Sequence, residues 1–136
     1  MYFEIQQVVS DKQGRITLPR SLFKTGRIIR GGALCVVPLE GYWIACEPER
    51  IEEILERDFP GSALDPDVRD SRREFLVHVK SFHIDPQGRV PFQSADSGEP
   101  GAEYVVVGAG REFEIWPVTA WRNHINQSGG DDEQGG

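Results

Sequence analysis

The sequence predicts an α+β protein, mostly β, in which two similar hairpin units interleave as a swapped-hairpin β-barrel with short peripheral helices. A repeat carries most of this expectation. Asp11-Lys12-Gln13-Gly14-Arg15 precedes Ile16-Thr17-Leu18, and Asp85-Pro86-Gln87-Gly88-Arg89 precedes Val90-Pro91-Phe92. The two copies fall in different halves of a 136-residue chain, as a tandem duplication would place them. Runs of β-forming residues between Gly and Pro turn signals supply the strands. Size supplies the closure: halves of about 60 to 70 residues bury too little surface to stand alone. A shared core is therefore expected, and a closed barrel would leave no strand edge open.

The elements follow in order. Tyr2 to Val9 reads as a strand, and Asp11 to Gly14 as a turn whose Asp bonds its own backbone and whose Gly supplies positive φ. Arg15 to Leu18 returns as a strand. Pro19 opens a short helix, Arg20 to Thr25, that Gly26 stops. Ala33 to Val37 and Tyr42 to Cys46 are strands joined by a turn over Pro38 to Gly41. Pro48 opens a helix to Arg57, with Ile51, Ile54 and Leu55 along one side. A connector leads to a linker helix from Asp67 to about Val77. The second unit replays the first: strand Val79 to Ile84, the Asp85 to Arg89 turn, return strand Val90 to Phe92, and strands Tyr104 to Val107 and Phe113 to Trp116. These last two match the first unit at an offset of 70 rather than 74, so about four residues are missing after the second turn. The run Ser94 to Gly101 points to loss of the small helix there. A final helix spans Val118 to Ile125, and Ser128 to Gly136 reads as a disordered acidic tail. The organisation is a first repeat over 1–50, a helical connector over 51–78, a second repeat over 79–122, and a helix end with tail over 123–136.

With 38% hydrophobic and 27% charged residues, the chain reads as a soluble globular protein. No signal peptide is expected, and no apolar stretch approaches the roughly 18 residues of a membrane span. Cys35 and Cys46 sit in apolar runs and read as buried thiols; a disulfide or redox pair is the sharper alternative, without Cys-x-x-Cys spacing to support it. A reducing cytoplasm suits the buried thiols. His78, His83 and His124 lack ligand-like neighbours, so no metal site is expected. No nucleophile has a base beside it, and Gly108-Ala109-Gly110 reads as a hairpin turn, not a phosphate loop. Trp43, Trp116, Trp121, Phe113 and Tyr104 fit a core or a subunit interface.

The net charge is −7, yet residues 1–30 carry six basic residues against two acidic ones. A basic face on an acidic body can bind phosphate while its remainder discourages nonspecific association. Arg15 follows a glycine turn at a narrow hairpin tip, where it can clamp a phosphate or take guanine O6 and N7 in bidentate fashion. Lys12 on the same tip can neutralise a phosphate. Arg20, Lys24 and Arg27 flank them, and Arg89 holds the matching place in unit two. The plainer reading is that Asp11 pairs with Arg15 to brace the turn.

The two Asp-x-Gln-Gly-Arg turns, with Ile16-Thr17-Leu18-Pro19 after the first, resemble the SpoVT-AbrB superfamily. More specifically they resemble the MraZ family of bacterial transcriptional regulators. Phe113-Glu114-Ile115-Trp116, with Trp121 five residues later, is similar to that family's closing signature, and Arg72-Arg73-Glu74-Phe75 to its linker helix. The resemblance covers residues 1 to about 126. It implies tandem AbrB-type repeats in a swapped-hairpin barrel and ring-like homo-oligomers. It also implies binding to repeated double-stranded DNA near promoters of cell-division and cell-wall genes, and cytoplasmic, nucleoid-associated regulation without catalysis. No cofactor and no small-molecule substrate are expected. Several identical loops on a ring, meeting several DNA repeats, would recover the affinity that one weakly charged chain lacks. Unit two departs from unit one, with Pro86 in place of Lys12 and Pro91 two positions ahead of a match to Pro19. These departures and the negative charge motivate two alternatives without DNA binding: an oligomeric protein-interaction scaffold, or an antitoxin-like partner on the same fold. A third, a small-molecule-binding barrel or an enzyme, rests only on the closed barrel.

Overall fold

A computed structural model describes residues 4–92 and 100–135. Eight strands form among them: β1 (Ile5–Val9), β2 (Ile16–Thr17), β3 (Ala33–Pro38), β4 (Trp43–Cys46), β5 (Lys80–His83), β6 (Arg89–Val90), β7 (Glu103–Ala109) and β8 (Glu112–Pro117). A 3-10 helix at Arg20–Phe23 follows β2, and three α-helices complete the set: α1 (Pro48–Asp58), α2 (Pro66–Leu76) and α3 (Val118–Gly135). Pro48 and Pro66 stand in the first turns of α1 and α2, where a missing N–H costs nothing. Asp65 caps α2 by accepting from the Asp67 N–H at 2.9 Å.

Six strands make one antiparallel sheet in the order β1-β7-β8-β4-β3-β5, and β2 pairs with β6 in a separate two-stranded ribbon. Exchanging β1 with β5, β3 with β7 and β4 with β8 turns the six-strand order into its own reverse. The register survives the same exchange. Val9 faces Glu103 as His83 faces Ala33; Ala45 faces Phe113 as Trp43 faces Ile115; Ile16 faces Val90. Loop hydrogen bonds follow suit: Ile84 N–H donates to Gly32 O at 2.9 Å, and Ser10 N–H donates to Ala102 O at 2.8 Å.

The closed barrel expected from the sequence does not form. β1 and β5 stand at the two ends of an open sheet. The return strands β2 and β6, two residues each, pair with one another instead of bridging those ends. Partner exchange between the hairpins does occur; closure does not. The short helix is a single 3-10 turn, shorter than Arg20 to Thr25, with Leu22 buried in the core and Phe23 packed against it. The last helix extends past Ile125 to Gly135, over a stretch expected as tail. The low helix propensity of Gly129 and Gly130 offers no reason for the extension. The expected loss of the small helix in unit two falls on residues 93–99, outside the described residues.

Alternation along the sheet feeds two cores. Leu34, Val36, Ala45, Tyr104, Val106, Phe113 and Ile115 face the ribbon, where Ile16, Leu18, Ile28, Ile84, Val90 and Phe92 close over them. On the opposite face, Cys35, Val37 and Cys46 meet Ile51 and Ile54 of α1, with Phe59 and Phe75 at the margin. Cys35 and Cys46 are direct cross-strand neighbours, and both are buried free thiols. Burial raises both titrations and pushes Cys46 up to about 12, which leaves little thiolate for redox chemistry. The thiol reading made from the sequence therefore holds. Arg72 donates twice to Phe59 O, at 3.1 and 3.0 Å, and ties α2 back to the end of α1.

Because Phe113 is fully buried on the strand that joins the two halves, Phe113→Ala is expected to cost about 3–5 kcal/mol in urea unfolding. Ile5→Ala, at an exposed edge position, is expected to stay within about 0.5 kcal/mol.

Candidate nucleic-acid interface

Both Asp-x-Gln-Gly-Arg segments fold into the same turn. Asp11 N–H donates to Arg15 O at 2.8 Å, and Asp85 N–H donates to Arg89 O at 3.0 Å. The carboxylate fills each turn: Asp11 Oδ1 accepts from the Gln13 and Arg15 N–H groups at 2.9 Å, and Asp85 Oδ1 from Gln87 and Arg89 at 3.0 and 2.8 Å. Gly14 and Gly88 take φ of 77° and 82°, which explains the glycine in both copies. A Cβ on Gly88 would also stand 3.2 Å from the Phe23 ring.

The second carboxylate oxygen orients the arginine. Arg15 Nε donates to Asp11 Oδ2 at 2.9 Å and Arg89 Nε to Asp85 Oδ2 at 2.6 Å, with side chains 30% and 31% exposed. The bracing read from the sequence is thus present, and it engages only Nε of Arg15. Both Nη groups of Arg15 are without a partner among the described residues. Arg89 is held more tightly, its Nη2 donating to Gln87 Oε1 at 3.2 Å.

The ribbon brings the two arginines to one face. Thr17 lies opposite Arg89, and Arg15 lies two residues before Thr17, so Arg15 and Arg89 are diagonal neighbours about 7–8 Å apart. Ile16 and Val90, the residues that follow the two arginines, point into the core. The outer face therefore carries Arg15, Thr17 and Arg89, with Lys12 exposed on the first turn.

Arg20, Lys24 and Arg27 are exposed on the segment after β2. That segment packs against the second turn, not the first. Leu18 N–H donates to Gly88 O at 2.9 Å, and Phe23 lies over Gly88. Arg30 completes this contact, its guanidinium 4.2 Å from the Phe23 ring centre. The sequence reading counted the charge of Arg30 but gave it no role. Its place in the basic run was the available signal; its contact with a turn some 58 residues away had none. Among the described residues no three His, Cys, Asp or Glu side chains gather as metal ligands, and no helix is long and apolar enough to cross a membrane.

Fold and site together define a class: an α+β protein of two cross-paired halves that presents two arginine-bearing turns on one ribbon. Comparison with known proteins makes this specific. The chain is 36% identical over 124 residues to the transcriptional regulator MraZ of Paenarthrobacter aurescens (strain TC1), a match covering 86% of this chain and 81% of that one. It is 30% identical over 118 residues to the MraZ regulators of Mycobacterium avium (strain 104) and Mycobacterium tuberculosis (strain CDC 1551 / Oshkosh), covering 84% of this chain and 79% of each. The chain belongs to the MraZ family, as a divergent member. No protein-family profile matches it.

The braces give the turns an acid sensitivity. Arg15's backbone hydrogen bond is the largest influence on Asp11; with the Arg15 side chain and Gln13 it outweighs desolvation and lowers the carboxyl below 3.8. At Asp85 desolvation pushes upward, and the Arg89 backbone and side chain more than offset it, again leaving the carboxyl below 3.8. A depressed carboxyl contributes stability that is complete above the unfolded value and is lost as pH falls through the folded one. Acid titration followed by circular dichroism should therefore show a stability loss below pH 3.8 that is smaller in the double variant Asp11→Asn/Asp85→Asn, the Glu53 carboxyl held down by Arg50 and Arg111 supplying part of what remains.

Proposed function

We propose that the chain is a DNA-binding transcriptional regulator whose β2–β6 ribbon reads repeated promoter DNA, with several ribbons presented by a ring-like homo-oligomer. The observation that carries this is the placement of Arg15 and Arg89 on one outward face, each pre-oriented by its own aspartate. A two-stranded ribbon fits the major groove, and a guanidinium with free Nη groups can take guanine O6 and N7 or clamp a phosphate. Lys12 neutralises a phosphate beside them, and Arg20, Lys24 and Arg27 add attraction near the second turn. The name carried by the relatives supports the regulatory role. Matching turns, register and loop hydrogen bonds support a tandem duplication of AbrB type as its origin. The reading places the protein in the cytoplasm at the nucleoid and assigns it no catalysis.

The test is fluorescence anisotropy on DNA upstream of the protein's own coding sequence, across a salt series. Wild type should bind with an affinity that falls steeply as salt rises. Arg15→Ala should keep the fold and lose about 1–3 kcal/mol of binding, and Lys12→Ala should lower the salt slope by about one. Absence of wild-type binding at low salt would move the function to a protein partner.

A further inference from the structure

The molecule has two places where a hairpin turn meets the helix of the other half, and they have diverged. Where the β7–β8 turn meets α1, two guanidinium groups fill the gap. Arg50 Nε donates to Glu112 Oε1 at 2.6 Å and its Nη1 to Glu53 Oε2 at 2.8 Å. Arg111 Nη2 donates to Glu53 Oε1 at 3.2 Å and lies 3.5 Å from Glu47 Oε1. The counterpart is the β3–β4 turn against α3. At the offset of 70, Gly41 stands in the place of Arg111, Ala120 in that of Arg50 and Tyr42 in that of Glu112. Both arginine side chains are gone, and a cavity of about 520 Å³ lies there, lined among others by Glu40, Gly41, Tyr42, Trp116, Asn123 and His124.

The lining is polar and aromatic in a way that suits what the other half holds. The Tyr42 and Trp116 rings stack in parallel, 4.1 Å between centres and 1° apart. Trp116, only 8% exposed, is fixed by its Nε1 donating to Glu114 Oε1 at 3.0 Å and by the Trp121 and His124 rings at 5.5 and 5.1 Å, so that it backs Tyr42. This makes a rigid aromatic platform beside the Glu40 carboxylate. We propose that this cavity binds a guanidinium group, presented as an arginine side chain. The planar cation stacks on the aromatic platform, and its N–H groups meet Glu40 and the amide oxygen of Asn123. The inference stands apart from DNA reading and shares no residue with the ribbon.

The experiment is calorimetric titration of the full chain with L-argininamide, lysinamide and the blocked tripeptide acetyl-Gly-Arg-Gly-amide, with tryptophan fluorescence as a second readout. Saturable binding of the arginine ligands is expected in the millimolar range, clearly weaker for lysinamide, and roughly tenfold or more weaker in Glu40→Gln. Glu40 is exposed, so this variant should fold. Tyr42→Ala should also weaken binding; with Arg50→Ala, on the other half, it should persist. Tighter binding of the tripeptide would assign the site to a protein segment, and tighter binding of argininamide to a free small molecule. No saturation by either arginine ligand, equal binding of lysinamide, or an unchanged Glu40→Gln would overturn the proposal.

Discussion

Each half of this chain leaves its opening strand without a partner in its own half. β1 can hydrogen-bond only because β7 lies beside it, and β5 only because β3 does. The same holds for the return strands, since β6 is the strand that β2 pairs with among the described residues. Long-range antiparallel pairing of this kind orders the chain late and together, because loop closure must precede the reward of contact. It also explains why one core serves both halves: Ile16 and Val90 are neighbours across the ribbon and disappear into the same cluster. The ribbon exists only when both halves are folded. Any surface it presents is thereby coupled to the stability of the whole.

Within that frame the aspartate of each turn has two tasks, divided between its two oxygens. Oδ1 satisfies backbone N–H groups that the turn would otherwise expose, and Oδ2 aims the arginine. Bracing and recognition, which stand as rivals in the sequence, are compatible in the geometry. A carboxylate on Nε fixes the guanidinium plane while leaving the Nη edge outward. Such pre-orientation lowers the entropy lost when an arginine engages a ligand.

Much of this was legible in the sequence. The repeated turn gave the position and even the glycine conformation, since Gly14 and Gly88 need positive φ. Composition marked the strands, and Pro48 marked the start of α1. What was not legible is partner choice. A two-residue strand such as Ile16–Thr17 carries no pattern that says whether it bridges a barrel or pairs with its twin, and the expectation of closure failed there. The same limit hid the Arg30–Phe23–Gly88 contact, whose members belong to different halves. Opposed Cys35 and Cys46 were readable as buried but not as cross-strand neighbours, because register depends on the turn at Leu39, where its N–H donates to Tyr42 O.

The symmetry of the backbone makes the asymmetry of the side chains informative. Strand register, the hairpin turns and several loop hydrogen bonds are shared by the halves, so differences between equivalent positions there reflect side-chain chemistry on a common scaffold. The basic segment of the first half packs over Gly88 in the turn of the second, and within that turn Gln87 holds Arg89 by a contact that Arg15 lacks among the described residues. On the far side of the sheet, an ionic lattice around Arg50 and Arg111 seals one turn to its helix. An aromatic pair and a cavity occupy the equivalent place. Of the paired side chains Arg50 and Glu47 are largely buried, 12% and 5% exposed, and a buried ion pair can stand in place of well-packed rings at little net difference in stability. A position that can be emptied at small cost on a rigid scaffold is free to acquire a ligand, and the stacked Tyr42–Trp116 pair keeps that vacated space from collapsing.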